Sequence, residues 1–240
     1  MDAFDRNGLV NENRNALVVR GGWEGHQPVA ATDLFIPYLR DQKFEVRVSD
    51  SPEPYADAAY MATVDLVVQC LSMGEITSEQ CRGLSEAVAA GTGLAGWHGG
   101  IVDSYRATPD YLHLVGGQFA CHPAKPPHEQ VEGAPDNCFI PYRVTMLPAA
   151  AEHPITAGIA DFDLVTEQYW VLADDYNDVL ATTTHPARSP WHRDVVAPAI
   201  WTRNWGDGRV FVATPGHDLN VLGHPSVREI IERGMVWASR

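Results

Sequence analysis

The sequence predicts an α/β fold in which helices cover both faces of a mostly parallel β-sheet. In the first hundred residues, short segments that are apolar throughout alternate with longer segments that are apolar on one face only. A strand that is apolar on both faces is typical of a parallel sheet with helices on each side. The second half carries several short strand patterns and a glycine-containing turn, which predict additional β-hairpins.

The elements of the first half are bounded by clear start and stop signals. Residues 16–20 form an apolar strand that ends at a Gly-Gly pair, and Pro28 suits the first turn of the helix that follows. Thr77 predicts the start of a second helix, because Gln80 lies three residues later and completes a capping box. The other predicted strands of this half are apolar runs at 44–48, 65–70 and 94–96.

The second half is predicted to contain a series of strands followed by one helix. The turn at 204–208 joins the last two strands as a hairpin. Ser226 is predicted to cap the closing helix, which runs through Trp237. Strands or extended hairpins are predicted at 139–146 and 162–172, and further strands at 179–183, 199–201 and 209–213.

The segment 120–138 is rich in proline and polar residues and has two interpretations. It is either a linker between domains or a long functional loop within one domain. We favour the loop, because too little chain follows it to form an independent core. Residues 15–240 are therefore predicted to form one domain, with residues 1–14 as a disordered or loosely attached N-terminus.

The charge composition of the chain argues against two classes of binding partner. The chain of 240 residues has 17 Lys and Arg against 31 Asp and Glu, which gives a formal charge of −14. An acidic chain without a basic cluster argues against nucleic acid and anionic membranes as partners. No apolar run is long enough to span a bilayer and the start does not resemble a secretory signal, so we expect a cytoplasmic protein. A small-molecule partner is expected, and homo-oligomer formation is left open.

Four cysteines are scattered along the chain without a Cys-x-x-Cys motif, and we interpret them as buried free thiols rather than a disulfide framework: Cys70, Cys81, Cys121 and Cys138.

Histidines follow three of the predicted strands. His26 comes after the first strand, His98 after the strand at 94–96, and His217 after the strand at 209–213. In open parallel sheets ligands bind at the carboxyl ends of the strands. These three side chains are therefore predicted to lie around one cleft, although a lone histidine in such a turn is usually a satisfied polar residue.

Two more polar residues are candidates for the same site. His122 lies where the long loop begins, and Glu167 stands beside Tyr169 and Trp170. A lone glutamate is more often a solvated surface charge. The aromatic neighbours of Glu167 could instead raise its pKa by desolvation and suit it to acid–base work.

Aromatic residues accompany these polar groups and suggest a sugar ligand. Trp23 precedes His26, Trp97 adjoins His98, and Tyr169 follows Glu167, while Asp218 directly follows His217. Aromatic faces suit the apolar C–H faces of a sugar ring, and the polar groups suit its hydroxyls. Trp23, His26, Trp97, His122, Tyr169 and Asp218 are therefore predicted to bind substrate, with core packing as the alternative for any single tryptophan.

Cofactor signals are few. Histidine and carboxylate ligands are typical of zinc and manganese sites, so His26, His98, His122 and His217 are candidate ligands of a divalent metal. Residues 91–96 match the Gly-x-Gly-x-x-Gly pattern, but they precede and include a strand instead of following one. We therefore expect no nucleotide cofactor.

The ordered set of motifs resembles the trehalose-utilisation, or ThuA-like, family. No single motif is decisive, but the set runs in order from about residue 15 to residue 238. The matching segments are 96–100, 114–119 with 122–123, 153–159, 161–162, 167–169, 208–211 with 216–217, and 233–238.

This resemblance implies a flavodoxin-like fold similar to that of class I glutamine amidotransferases. The nucleophile turn of those enzymes reads Gly-x-Cys-x-Gly, and residues 96–100 read Gly-Trp-His-Gly-Gly here. His98 thus stands in the place of the nucleophilic cysteine. Because a histidine cannot form the thioester intermediate, amidotransferase activity is not expected.

The resemblance also implies a role in sugar catabolism, since the family is associated with trehalose and with dehydrogenases that make 3-keto sugars. Our first hypothesis is an enzyme that acts on a 3-keto disaccharide or glycoside by acid–base or metal-assisted chemistry, as a lyase or hydrolase. His98, Glu167 and His217 are its predicted catalytic residues. The alternatives are a non-catalytic sugar-binding or regulatory protein and a structural subunit.

Overall fold

The computed structural model describes residues 14–135 and 137–240. Most of the predicted loose N-terminus lies outside these ranges, and Arg14 already begins the first strand. The strands of the described residues are β1 (Arg14–Gly22), β2 (Phe44–Ser49), β3 (Leu66–Ser72), β4 (Gly93–Trp97), β5 (Gly117–Cys121), β6 (Phe139–Met146), β7 (Phe162–Glu167), β8 (Trp170–Ala173), β9 (Asp178–His185), β10 (Val195–Trp205) and β11 (Gly208–Ala213).

Helices connect and cover these strands. Short 3-10 turns lie at Glu24–His26, Glu53–Ala56, Pro127–Glu129 and Pro148–Ala150. The α-helices of the described residues are α1 (Pro28–Asp41), α2 (Ala58–Met61), α3 (Ser78–Ala89), α4 (Gly99–Val102), α5 (Pro109–Val115), α6 (Leu219–Leu222) and α7 (Pro225–Ala238).

Nine strands form one mixed sheet, which confirms the predicted α/β class. Their order is β2-β1-β3-β4-β11-β10-β9-β6-β7, and β5 pairs with β8 in a separate two-stranded sheet. In this order, the five strands from β2 to β11 are parallel to one another. Each pair of neighbours from β11 to β7 is antiparallel. The last strand in the chain, β11, therefore joins the parallel half to the antiparallel half.

The side chains of β1 show why the parallel strands are apolar throughout. Ala16 and Val18 pack into the core beneath α1 and α7, while Leu17 and Val19 pack into the second core beneath α3 and α5. Both faces of this strand are thus covered by helices, as a parallel sheet requires.

The capping box of α3 is confirmed. The Thr77 hydroxyl accepts a hydrogen bond from the Gln80 amide at 3.2 Å, and the Gln80 side chain accepts one from the Thr77 amide at 2.9 Å. The predicted cap of the last helix is wrong: α7 begins at Pro225, and His224, not Ser226, is its N-cap residue. Proline suits this first helical position, because an amide hydrogen there would have no partner within the helix and proline has no amide hydrogen.

The segment 162–172, predicted as a strand or an extended hairpin, forms two strands with different partners. β7 ends at Glu167 and pairs with β6, whereas β8 begins at Trp170 and pairs with β5. The break between them frees the side chains of Glu167 and Tyr169 for contacts with the ends of the parallel strands. Within the described ranges, no helix combines the length and the apolar composition needed to cross a bilayer.

Candidate functional site

Four buried side chains meet at the carboxyl ends of the parallel strands. They are His26, His98, Glu167 and His217, which we call the His–Glu cluster. Each offers one nitrogen or oxygen atom that could bind a metal, and these atoms all lie within 4.8 Å of one another. The exposed fraction of each residue is between 1% and 8%. The cluster is thus a dense group of polar atoms within the protein.

Three different strand ends deliver the histidines. His26 lies in the 3-10 turn after β1, His98 directly follows β4, and His217 follows β11 by four residues. Their ring centroids are 4.7–5.3 Å apart. The convergence predicted from the sequence is therefore present, and Glu167 at the end of β7 completes the group.

The shortest distances in the cluster join three atoms. Glu167 Oε2 lies 3.2 Å from His98 Nε2 and 3.1 Å from His217 Nδ1. The two nitrogens are 3.3 Å apart. Three atoms that can each hold a lone pair thus face a common point, and a proton or a cation between them would stabilise the arrangement.

Hydrogen bonds outside this trio fix the rings. His98 Nδ1 donates to the Thr214 carbonyl at 2.8 Å, because a carbonyl oxygen can only accept. In the neutral ring Nε2 is then an acceptor, and the Tyr169 hydroxyl donates to it at 2.7 Å. His26 Nδ1 lies 2.6 Å from Ser72 Oγ, which ends β3. Such outer contacts set ring orientation in metal and acid–base sites.

The backbone at His98 is strained in a way that favours a functional role. Its φ of 48° and ψ of −143° are uncommon for a residue with a side chain. The residue stands at a sharp turn between β4 and α4. In other α/β proteins a strained strand-to-helix turn presents a reactive side chain above the sheet.

Burial and neighbouring groups shift the pKa values of two histidines in the cluster. Burial, followed by the nearby imidazoles of His98 and His217, lowers the pKa of His26 to about 3. Burial also lowers the pKa of His98, although the neighbouring Glu167 carboxylate, which favours the protonated ring, opposes the effect. These two rings are therefore neutral at physiological pH and have lone pairs available for a ligand.

The predicted rise in the pKa of Glu167 is wrong. Burial alone raises the pKa of this carboxyl, but its contacts with His217 and His98 outweigh burial and hold the pKa well below its usual range. Glu167 is thus an ionised carboxylate at neutral pH. It can bind a cation or accept a hydrogen bond, and it carries no proton to donate.

Three other predicted substrate-binding residues surround the cluster. Trp23 packs edge-on against His26 with ring centroids 4.7 Å apart, and 46% of it is exposed. Tyr169 stacks on His98 at 4.1 Å. His122 Nε2 lies 3.5 Å from Glu167 Oε1, and 32% of the His122 side chain is exposed. Trp23 and His122 therefore border the cluster where solvent reaches it.

Two predicted residues have other roles in the structure. Trp97 belongs to the core beneath α1, where its ring lies 4.8 Å from that of Phe35. Asp218 caps α6, since its Oδ1 accepts a hydrogen bond from the Val221 amide at 2.9 Å. The structure thus gives Trp97 a packing role and Asp218 a capping role, and substrate binding by these two residues stays a prediction.

Three members of this site were not predicted from the sequence: Ser72, Thr214 and Phe139. Ser72 and Thr214 hold His26 and His98 in place, and the ring of Phe139 packs edge-on against His217 at 5.0 Å. Ser72 is the last residue of β3, so the strand-end rule that identified the histidines would also have found it. Thr214 acts through its carbonyl, for which its side chain gives no signal.

Gly99 leaves the space that His26 occupies, and its replacement tests the packing of the cluster. A Cβ atom at residue 99 would lie 2.3 Å from His26 Cε1. We expect Gly99→Ala to destabilise the protein by roughly 1–3 kcal/mol, or about 2–12 °C in Tm. Calorimetry measures this change.

Gly223→Ala is the matched control, because φ there is −80° and the nearest atom to the new Cβ, Leu219 O, is 3.1 Å away. Equal Tm values for the two variants would show that His26 is not held against residue 99.

Comparisons with known proteins agree with this architecture. The family model of ThuA, described as trehalose utilisation, matches residues 15–238. A putative ThuA-like protein from Parabacteroides merdae is 17% identical with a TM-score of 0.71, over 95% of this chain and 90% of that chain. Another from Bacteroides uniformis is 16% identical with a TM-score of 0.69, over 98% and 95% of the two chains.

A cytoplasmic protein from Salmonella typhimurium LT2 is 13% identical with a TM-score of 0.60, over 94% of this chain and all (100%) of that chain. Identities this low establish similarity of fold alone. No curated protein matches the chain. The family match, which spans nearly the whole sequence, decides the assignment: this chain belongs to the ThuA, or trehalose utilisation, family.

Proposed function

We propose that the protein is a divalent-metal-dependent enzyme of carbohydrate metabolism that acts on a 3-keto disaccharide or glycoside. The observation that carries this proposal is the trio of His98 Nε2, Glu167 Oε2 and His217 Nδ1, whose mutual distances are 3.1–3.3 Å. The sugar class rests on membership of the trehalose utilisation family. The order β2-β1-β3-β4-β11 of the parallel strands supports a flavodoxin-like sheet with its ligand at the strand ends.

The donor set of the cluster fits a zinc or manganese ion. Imidazole nitrogens and a carboxylate are usual ligands of both metals. Ligand atoms about 2.0–2.2 Å from a tetrahedral ion are separated from one another by roughly 3.3–3.6 Å. The trio is close to this spacing, and His26 supplies a fourth nitrogen nearby. Ligation at His98 Nε2 requires Tyr169 to give up the hydrogen bond that it donates there.

The proposed chemistry is elimination beside a ketone. A ketone at C3 of a sugar acidifies the C2 proton, and the bond from C1 to the glycosidic oxygen lies beta to the carbonyl. Removing the C2 proton and breaking that C1–O bond leaves a C1=C2 double bond, and the departing oxygen takes up a proton. A divalent ion bound to the cluster would polarise the ketone oxygen and stabilise its developing negative charge.

The two oxygens of Glu167 face different partners, which suggests how the chain moves protons. Oε2 faces His98 and His217 inside the cluster, while Oε1 faces His122 on the exposed side. In this proposal the carboxylate accepts the C2 proton at Oε1, and its contacts with His217 and His98 make it a weaker base than a free glutamate. His122 is placed to return a proton to the glycosidic oxygen, and Tyr169 and Trp23 are placed to orient the ring. If no metal is bound, His98 and His217 exchange protons with Glu167 directly.

A turnover assay with two substrates tests this proposal. The wild-type protein is expected to release reducing sugar from 3-keto-trehalose and not from trehalose, because only the ketone acidifies the C2 proton. Release measured over time at matched substrate concentrations gives the result. Saturable binding of both sugars without turnover of either would contradict the proposed enzymatic activity and favour the sugar-binding alternative. The cytoplasmic location and the lack of nucleic-acid and membrane partners remain part of this proposal.

A further inference from the structure

A cavity of about 860 Å³ lies beside the cluster and outside it. Its walls come from the start of the long loop after β5 and from the loop between β9 and β10. This volume is typical of sites for small organic molecules. Its lining includes Cys121, Lys125, Glu129, Trp170, Arg188 and Trp191. None of these residues has a role in the chemistry proposed above.

Two tryptophans form a corner in this cavity. The ring centroids of Trp170 and Trp191 are 5.1 Å apart, and the ring planes meet at 71°. The Trp191 indole donates a hydrogen bond to the Pro186 carbonyl at 2.8 Å, which fixes that ring. His185 lies against Trp170, with centroids 5.1 Å apart. The cavity thus presents rigid aromatic surfaces, which suit the C–H faces of a sugar ring.

Charged groups in the cavity compensate one another. Lys125 Nζ lies 2.9 Å from Glu129 Oε2. Arg188 donates to the Ala124 carbonyl at 3.0 Å, and its guanidinium lies 4.8 Å from the centre of the Trp191 ring. These groups offer donors and acceptors for hydroxyls. Because the carboxylate of Glu129 stands among the cations, the set is better matched to a neutral polyhydroxylated ligand than to a phosphorylated one.

The cavity and the His–Glu cluster share two segments of chain. Tyr169 contacts His98 in the cluster, and its neighbour Trp170 lines the cavity. His122 contacts Glu167, and its neighbour Cys121 lines the cavity. The cavity and the cluster are therefore adjacent at these two segments. A disaccharide, with two linked rings, has the matching form.

We infer that this cavity binds the second sugar ring of a disaccharide or the sugar part of a glycoside, while the first ring lies at the cluster. The inference rests on the proposed function, because it takes the cluster as the place of the keto ring. It assigns a preference for two-ring over one-ring substrates to Trp170 and Trp191. A methyl glycoside, which lacks the second ring, leaves the cavity empty.

Binding measurements in the Glu167→Gln background, which slows turnover, test the inference. Calorimetric titration compares 3-keto-trehalose with methyl 3-keto-α-glucoside. We expect Trp191→Ala to weaken 3-keto-trehalose binding about tenfold. The affinity for the methyl glycoside should change less than about twofold, and Trp191→Phe should retain most of the two-ring affinity. Tyr176→Ala is the control, because Tyr176 is another exposed aromatic and does not line the cavity.

Equal affinity of the two probes, or equal weakening of both by Trp191→Ala, would overturn the inference. Trehalose 6-phosphate that binds more tightly than trehalose, with the difference lost in Arg188→Gln, would overturn the assignment to a neutral sugar. These titrations need no turnover. A wild-type protein that binds two rings through Trp191 but converts neither keto sugar contradicts the proposed function and leaves this cavity as a sugar site.

Discussion

The purified protein is expected to carry about one zinc or manganese ion per chain, and His98→Ala is expected to lose most of it. Even changes to residues that only support a metal ligand lower affinity by about 10–100-fold, so loss of a ligand atom should lower it more than about 100-fold. His98 also anchors the cluster, since its Nε2 lies within 3.3 Å of both Glu167 and His217. Elemental analysis of the wild type and the variant measures the metal content.

Chelation gives an independent readout of the same metal. A ligand that binds only the folded state stabilises it, so removing the ion should lower the Tm of the wild type and not that of His98→Ala. His128→Ala is the matched control, because 79% of the His128 side chain is exposed. Metal-free wild-type protein whose Tm does not respond to a chelator would rule out the metal and leave direct proton exchange within the cluster.

Turnover of 3-keto-trehalose is expected to fall roughly 10²–10⁴-fold in both Glu167→Gln and His217→Ala, which is the usual size of an acid–base contribution. Glu167→Gln is the sharper test, because it keeps the shape of the side chain and removes the negative charge. The depressed pKa of Glu167 makes that charge present throughout the neutral range. Steady-state kinetics should show the loss in kcat with a much smaller change in KM, since Trp23 and Tyr169 remain.

Glu152→Gln is the control for this experiment, because Glu152 is exposed and is not one of the cluster residues. Metal content must be measured in the same samples. A variant that keeps its metal and loses turnover separates proton transfer from metal binding. Rates within a few-fold of wild type in both Glu167→Gln and His217→Ala would show that these residues are a binding wall and not the reacting groups.

The positions of the histidines could be predicted from the sequence because each depends on a local rule. Apolar strands can be recognised directly from their composition, and the residues that follow them in a parallel sheet meet at one edge. His26, His98 and His217 were found in this way. The capping box at Thr77 was equally local, and the structure shows both of its hydrogen bonds.

The properties that sequence reasoning missed depend on contacts between distant residues. The aromatic neighbours of Glu167 are visible in the sequence, but His217 and His98, which reverse the expected pKa shift, lie far from it along the chain. Trp97 alternates into the core because of the pleat of β4. The seven-residue helix α5 is too short to show a convincing period, and β8 is separated from β7 only by the pairing partner that each strand finds.

The central position of β11 in the sheet determines when the site can form during protein synthesis. This strand is the last to leave the ribosome, yet it lies between β4 and β10 in the middle of the sheet. A nascent chain that has emerged only as far as β4 holds His26 and His98, while His217 follows 119 residues after His98. A nascent chain that has not yet emerged beyond β11 therefore lacks the central strand and His217, so the reactive group of side chains forms only after residue 217 has been made.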